Sequence, residues 1–208
     1  MQRKPSYNLE KELLSKVDLV FGMDEVGRGS FAGPLVAAAV CFTKEFEWFK
    51  DLNDSKLLTP AKREELSKLI LENSKCFIEI IKVEEINQKG IGKCNQLVFE
   101  RLIKRILSEQ AEKQIHFLID GNKQKINGAN LSFIVKGDSK IISIAAASII
   151  AKAYRDNVMR ELGKTYHGYN FSKNKGYGTK FHRDAIGKLG LCDIHRKSFN
   201  LSRYLITH

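Results

Sequence analysis

Cysteine, long apolar runs and negative charge are all in short supply in this 208-residue chain. The four cysteines, Cys41, Cys76, Cys94 and Cys192, lie far apart, and no two have the C-x2-C spacing of a zinc site. That rejects a disulfide framework and a structural zinc; Cys41 and Cys76 sit in apolar runs and read as core thiols. No apolar run approaches the ~20 residues of a membrane span. The polar start Met1-Gln-Arg-Lys-Pro-Ser-Tyr-Asn8 leads into no hydrophobic signal core, so a cytoplasmic protein is expected. There is no internal repeat and no low-complexity segment. Acids number 24 against 35 Lys and Arg, a net charge of +11.

An apolar fraction of 43% and a charged fraction of 28% are ordinary for a globular protein, and the length suits one sizeable core. The charge is unevenly spread. From Lys152 to His208 there are twelve Lys and Arg against four acids, with four of the five histidines and five of the six tyrosines. A basic stretch interleaved with aromatics suits a polyanion partner. It equally suits a solvated basic face, and composition does not separate the two. We divide the chain into a core over residues 1–163 and a basic, helical and looped region over 164–208 packed on it.

Apolar patterning places a short helix over 9–15 and strands over 18–23 and 35–43, the latter a near-continuous apolar run. A short turn joins these two strands, which predicts antiparallel neighbours. Thr59 and Pro60 look like the N-cap and first residue of a helix with Leu66, Leu69 and Ile70 on its apolar stripe. A third strand follows over 76–83, then a helix over 95–111 after the glycines of 89–93. Strands over 115–120 and 131–135 lead to a long helix over 141–162, whose Ala145-Ala146-Ala147 run lets backbone pack closely on a sheet. A last helix over 180–189 ends at Gly190. This order indicates an α/β fold with a mixed central sheet flanked by helices.

One pattern recurs. Asp24 and Glu25, Asp120, and Asp138 each follow an apolar strand and are followed by glycine or lie beside one. If the strands share an edge, the carboxylates converge, and their repulsion calls for a hard divalent cation such as Mg2+ or Mn2+. Asp also commonly ends strands and begins turns, so position alone does not prove convergence. Gly27-Arg28-Gly29 reads either as a plain hairpin turn or as backbone that lets a sugar or phosphate approach closely.

Asp24-Glu25-Val26-Gly27-Arg28-Gly29, followed by Gly33-Pro34, closely resembles the N-terminal motif of the ribonuclease HII (type 2 ribonuclease H) family. The resemblance continues through Asp54-Ser55-Lys56, Ile119-Asp120-Gly121, Lys136-Gly137-Asp138 and Ser143 to Asp156. It ends with Lys175-Gly-Tyr177-Gly-Thr179, His182 and His195-Arg-x-Ser-Phe199. It implies a ribonuclease H-like fold and a metal-dependent endoribonuclease that cleaves RNA paired with DNA and incises at ribonucleotides embedded in duplex DNA. Such chemistry serves ribonucleotide excision, replication and repair. The catalytic and metal-binding set it implies is Asp24, Glu25, Asp120 and Asp138, holding two Mn2+ or Mg2+ ions during catalysis. In this reading Asp24 bridges both ions, and Asp138 completes the site that activates water. Glu25 and Asp120 serve the leaving 3′ oxygen. The products carry a 5′-phosphate and a 3′-hydroxyl.

The resemblance also makes Gly27, Arg28 and Gly29 readers of the ribonucleotide 2′-OH and Tyr177 the ring that stacks on the next sugar. Ser55, Lys56, Ser148 and Lys152 become phosphate contacts. Lys152 alternatively reads as an exposed helix lysine, Ser148 as a packing residue, and Arg155 and Asp156 as an ion pair that orders the helix. The chain departs from the family where a second lysine usually stands, at Leu57, and over residues 86–98. Arg28 favours type 2 over type 3, which usually carries Gly-Thr-Gly. A monomer is expected, and Ser202 to His208 lacks a paired-aromatic motif for docking on a replication clamp.

Overall fold

A computed structural model describes residues 4–53, 55 and 57–205. Its centre is a five-stranded mixed sheet of β1 (Leu19–Val26), β2 (Leu35–Cys41), β3 (Lys75–Ile81), β4 (Ile115–Asp120) and β5 (Asn130–Ile134), in the order β3-β2-β1-β4-β5. The β1–β2 and β2–β3 pairs are antiparallel; β1–β4 and β4–β5 are parallel. Around the sheet lie helices α1 (Asn8–Leu14), α2 (Pro60–Asn73), α3 (Val83–Lys89), α4 (Ile91–Glu109) and α5 (Ile142–Thr165). Beyond α5 come the single turn α6 (Phe171–Asn174) and α7 (Lys180–Leu189).

The central strands are buried on both faces, and their period of two sorts the core. Leu35, Ala37, Ala39 and Cys41 of β2 join Phe21 and Met23 beneath α4, whereas Val36, Ala38 and Val40 join the buried face of α5 and α2. The alanines Ala145, Ala146 and Ala147 let α5 lie close against the sheet, as their small size predicts. The contact is tightest at Gly22, where a Cβ would stand 2.2 Å from the backbone carbon of Ser143. A buried carboxylate fixes the start of that helix: Glu10 of α1 accepts from the Ser143 amide at 2.8 Å and its hydroxyl at 2.9 Å. A negative group is favoured there because the first turn of a helix presents unpaired N–H groups.

Several boundaries differ from expectation, with α4 running Ile91–Glu109 rather than 95–111 and so taking in Gly92, and two of the differences have a plain physical reason. β1 runs on through Asp24 and Glu25 because β2 supplies ladder partners for them, Ala38 and Ala37. Val83 begins a helix rather than ending a strand, because the β2–β3 ladder stops at Leu35 and Ile81. Buried Val83 and Ile86 then turn one helical face inward. Thr59 and Thr179 cap α2 and α7 as expected, accepting from the amides of Lys62 and His182. No helix among the described residues is long and apolar enough to cross a membrane.

Gly22→Ala would force α5 off the sheet, since the clash is with backbone rather than a flexible side chain. We expect a loss of about 3 kcal/mol or more, read as a lowered urea midpoint with an unchanged m-value.

Candidate active site

The parallel register sets the site. Met23 of β1 faces Ile119 of β4, so Asp24 and Asp120, each one residue further on, stand level at the carboxyl ends of adjacent strands. Glu25 follows Asp24, and Asp138 sits in a 3-10 turn (Gly137–Ser139) between β5 and α5. All four acids line one cavity of about 430 Å3, together with Val26, Ser55, Ser148, Lys152 and Tyr177. Eight of the twelve site residues expected from sequence therefore meet in one place. Lys56 lies outside the described residues.

Asp24 is the deepest of the four, only 8% exposed. Its Oδ1 accepts from the Glu25 amide at 2.7 Å. Burial raises its pKa well above the usual carboxylate range, and the neighbouring charge of Glu25, then those of Asp120 and Asp138, push the same way. A hydrogen bond from Ser148 opposes them in part. Asp120 is anchored by the Gly137 amide, 2.6 Å from its Oδ1. A Cβ on Gly137 would stand 2.6 Å from Ile144 Cδ1 and 3.3 Å from that oxygen, so glycine is what lets the turn close on Asp120. Among the described residues no three His, Cys, Asp or Glu side chains form a ready metal cage. Acids that line a shared cavity without closing on it still fit Mg2+ or Mn2+, which keep several of their waters. The mutual repulsion felt at Asp24 is what a cation would relieve.

Ser148 does more than pack: its hydroxyl lies 2.9 Å from that of Ser55. The Ser55 loop is held by Arg63 of α2, whose Nε and Nη2 donate to the Ser55 carbonyl at 3.0 and 2.8 Å. Lys152 is not a free surface lysine. Its ammonium is 2.7 Å from Asp156, which also faces Arg63 at 3.5 Å, and it lies 5.8 Å from the centre of the Tyr177 ring.

The ion pair expected between Arg155 and Asp156 is not formed; Asp156 turns to Lys152 and Arg63. Arg155 is fully buried and donates to three carbonyls: Pro34 at 2.9 Å, Lys175 at 2.9 Å and Ala32 at 3.1 Å. Its guanidinium also lies 5.5 Å from the Tyr177 ring centre. Arg196, equally buried, donates to the carbonyls of Gly33 and Arg28, both at 3.0 Å, and leaves its Nη2 without a partner. Burial lowers both guanidinium pKa values, that of Arg196 to about 9 with Arg155's charge contributing. Sequence reasoning assigned neither arginine to this task. The one available signal was that Arg155 and Arg196 both fall inside the matching motifs.

These two arginines shape the Gly27-Arg28-Gly29 turn from behind. Gly27 has φ +94°, and a Cβ there would meet Arg155 Nε at 2.2 Å. Gly29 differs: nothing lies within 4 Å of where its Cβ would be. The protein's own packing explains glycine at position 27, whereas at 29 it leaves open backbone. Arg28 is exposed, and none of the three residues lines the carboxylate cavity itself.

Solved structures share this architecture. RNase HII from Archaeoglobus fulgidus, determined as a complex with PCNA, matches with a TM-score of 0.71 at 24% identity, over 86% of this chain and 92% of that one. Bst-RNase HIII in complex with Mn2+ matches with a TM-score of 0.67 at 19% identity, over 89% and 68%. Likeness at such identities speaks to fold, and it places the chain among ribonuclease H-like α/β proteins. The sequence comparison is more specific. A ribonuclease HII from Fusobacterium nucleatum is 47% identical over 184 residues, 86% of this chain and 85% of that protein. The family model described as Ribonuclease HII matches residues 21–202. The chain belongs to the ribonuclease HII family, metal-dependent hydrolases that cleave RNA in RNA–DNA hybrids.

The Asp24 environment generates a test with two readouts. Its raised pKa means that the metal-free folded state holds a proton more tightly than the unfolded chain. Its contribution to stability is therefore least favourable at high pH and improves as pH falls through the folded pKa. Asp24→Asn removes that cost. In chelator near neutral pH we expect the variant to melt a few degrees higher, on the order of 1 kcal/mol at the ~2–4 °C per kcal/mol of this chain length. Added Mn2+ should raise the melting temperature of the wild type but hardly that of the variant.

Proposed function

We propose that this protein incises duplex DNA at single embedded ribonucleotides, besides cleaving the RNA strand of hybrids, through two divalent cations held by Asp24, Glu25, Asp120 and Asp138. The observation that carries this reading is that Tyr177 shares a cavity with the four acids, while Arg155 contacts both Tyr177 and Gly27. One side chain thus braces the open turn and the ring that lines the acidic pocket. The 2′-OH is what distinguishes RNA from DNA at a single nucleotide, and a planar ring beside unobstructed backbone suits its detection.

The cations, Mg2+ or Mn2+, would offset charge developing on the scissile phosphate and on the attacking and leaving oxygens. The chain's own groups do the rest. The Glu25 amide and the Ser148 hydroxyl hold the Asp24 carboxylate, and the Gly137 amide holds Asp120. Ser55, Ser148 and Lys152 line the same cavity, where a phosphate would meet hydroxyls and an ammonium. Gly27 and Gly29 keep side chains away from the sugar, and Tyr177 offers a stacking face. In-line hydrolysis leaves a 5′-phosphate and a 3′-hydroxyl. We assign residues 164–208 to substrate binding, since this region supplies Tyr177 and the Arg196 that holds the Arg28 carbonyl.

The test is a duplex DNA containing one ribonucleotide, incubated with and without Mn2+. Cation-dependent incision on the 5′ side of the ribonucleotide is expected. Tyr177→Ala should lower it by about tenfold to a hundredfold, the range of one lost stacking contact. Asp138→Asn should lower it by more than about a hundredfold. Cleavage confined to long hybrids, or binding without cleavage, would overturn the proposal.

A further inference from the structure

Behind Tyr177 lies a pair of fully buried histidines that the chemistry above does not use. His182 of α7 and His195 of the C-terminal loop place their Nε2 atoms 3.0 Å apart. A hydrogen bond there requires one nitrogen to carry a proton and the other to be bare. The outer nitrogens decide which. His195 Nδ1 is 2.9 Å from the amide of Cys192, a group that can only donate. So Nδ1 accepts, and the His195 proton sits on Nε2. The Cys192 carbonyl, 3.3 Å from the same Nδ1, is already served by the His195 amide at 3.0 Å, and the Cys192 thiol at 3.1 Å can donate as well. At the far end, His182 Nδ1 is 3.0 Å from the carbonyl of Tyr177, a group that can only accept. That nitrogen must carry a proton, which leaves His182 Nε2 bare to accept from His195.

Every donor now meets an acceptor: the Cys192 amide to His195, His195 to His182, and His182 to the Tyr177 carbonyl. Both rings are neutral: a proton added to His182 would set two N–H groups against each other at the 3.0 Å contact, and one added to His195 Nδ1 would face the Cys192 N–H at 2.9 Å. The surroundings agree. The rings of Phe31, Tyr169 and Phe171 pack on the pair, and Tyr169 and Cys192 are titratable groups that face it. Burial lowers the pKa of both histidines, that of His195 to about 4 with His182 adding to the effect.

The far end of this chain of bonds is a backbone atom of the proposed nucleotide-reading residue. Tyr177 stands between Gly176, at φ +79°, and Gly178; the Gly176 carbonyl accepts from the Phe31 and Ala32 amides at 2.8 and 3.2 Å, and the Tyr177 amide donates to the Asn174 carbonyl at 2.9 Å. The Tyr177 carbonyl is pinned from two sides, by His182 and by the Thr179 amide at 2.8 Å. The near end is tied to the opposite reader: the Gly33 amide donates to Ile194, and the Arg196 amide donates to Phe31.

We propose that His182 and His195 form a neutral, tautomer-locked relay that sets the peptide plane of Tyr177 and couples its ring to the Gly27–Pro34 turn. They are positioning residues, not acid–base groups. The assignment of Tyr177 as a nucleotide reader rests on the proposed function; the tautomers do not.

Two measurements test it. Long-range proton–nitrogen correlation spectra of the nitrogen-15-labelled full chain at neutral pH should show His195 protonated on Nε2 and His182 on Nδ1, the less common form of free imidazole. A charged ring, or His182 protonated on Nε2, would overturn the relay whether or not the protein cleaves anything. The second compares His195→Phe, which keeps an aromatic ring but no donor, with His195→Gln, whose amide can still donate to His182. His195→Phe should lower incision at a single ribonucleotide about tenfold, since it orphans the His182 Nε2 acceptor and the Cys192 N–H donor, and His195→Gln should recover most of it. In a Tyr177→Ala background, His195→Phe should add less than about twofold, because contacts acting through one residue are non-additive. A full additional tenfold loss there would show that the pair does not act through Tyr177.

Discussion

One guanidinium holds the working end of this protein together. Arg155 has no exposed surface and faces backbone carbonyls of residues 32, 34 and 175 instead of a carboxylate. Residues 32 and 34 belong to the turn after β1, and residue 175 opens the tyrosine loop, so one side chain of α5 fixes both relative to the sheet. Only arginine suits the task. Its fork presents several N–H groups in fixed directions and stays protonated under desolvation that would discharge a lysine. Each carbonyl bonded to it is also one that water no longer has to satisfy.

That arrangement places positive charge beneath the Gly27–Pro34 turn and the tyrosine loop, and negative charge in the cavity that Tyr177 lines. Arg155 and Arg196 lie behind the Gly27–Pro34 turn, whereas Asp24, Glu25, Asp120 and Asp138 meet in front of it. The acids are uncomfortable by construction, since burial and their neighbours both oppose ionisation of Asp24. The same crowding lets a cation gain from binding. Stability comes from elsewhere, chiefly the apolar faces of the sheet beneath α4 and α5, and the site draws on it.

Much of this was legible in the chain, and the exceptions share a cause. The acids could be read as strand-end residues because alternation along 19–26 and 115–120 is local. Their convergence could not, because it depends on β1 and β4 pairing in parallel across about a hundred residues. The caps at Thr59 and Thr179 are short-range and were readable from one turn of sequence. Arg155 was not, because its partners 121 and 123 residues away are carbonyls, which every residue possesses and which leave no mark in a sequence. The basic character of residues 152–208 is partly internal and partly paired. Arg155 and Arg196 are buried, and Lys152, Lys164 and Lys180 are paired with acids on their own helices. The histidine pair left no readable trace of its tautomers, which follow from one amide and one carbonyl.

The position of the site follows from how closely α5 can approach the sheet. Strand alternation puts Val20, Gly22 and Asp24 on one face of β1, opposite Phe21 and Met23, which belong to the core beneath α4. On that face, a side chain at position 22 would hold the helix away. Gly22, with the alanines of α5 above the sheet, lets the helix descend onto the backbone. Ser148 then reaches Asp24, while Lys152, one helical turn later, faces Tyr177. Residues 145–155 thus set, in a single helix, the depth of the central acid, the hydroxyl that bonds it, an ammonium beside the cavity and the guanidinium behind the turn. A helix held further out by a larger residue at 22 would displace all four together, so this glycine, which touches no part of the cavity, controls its geometry.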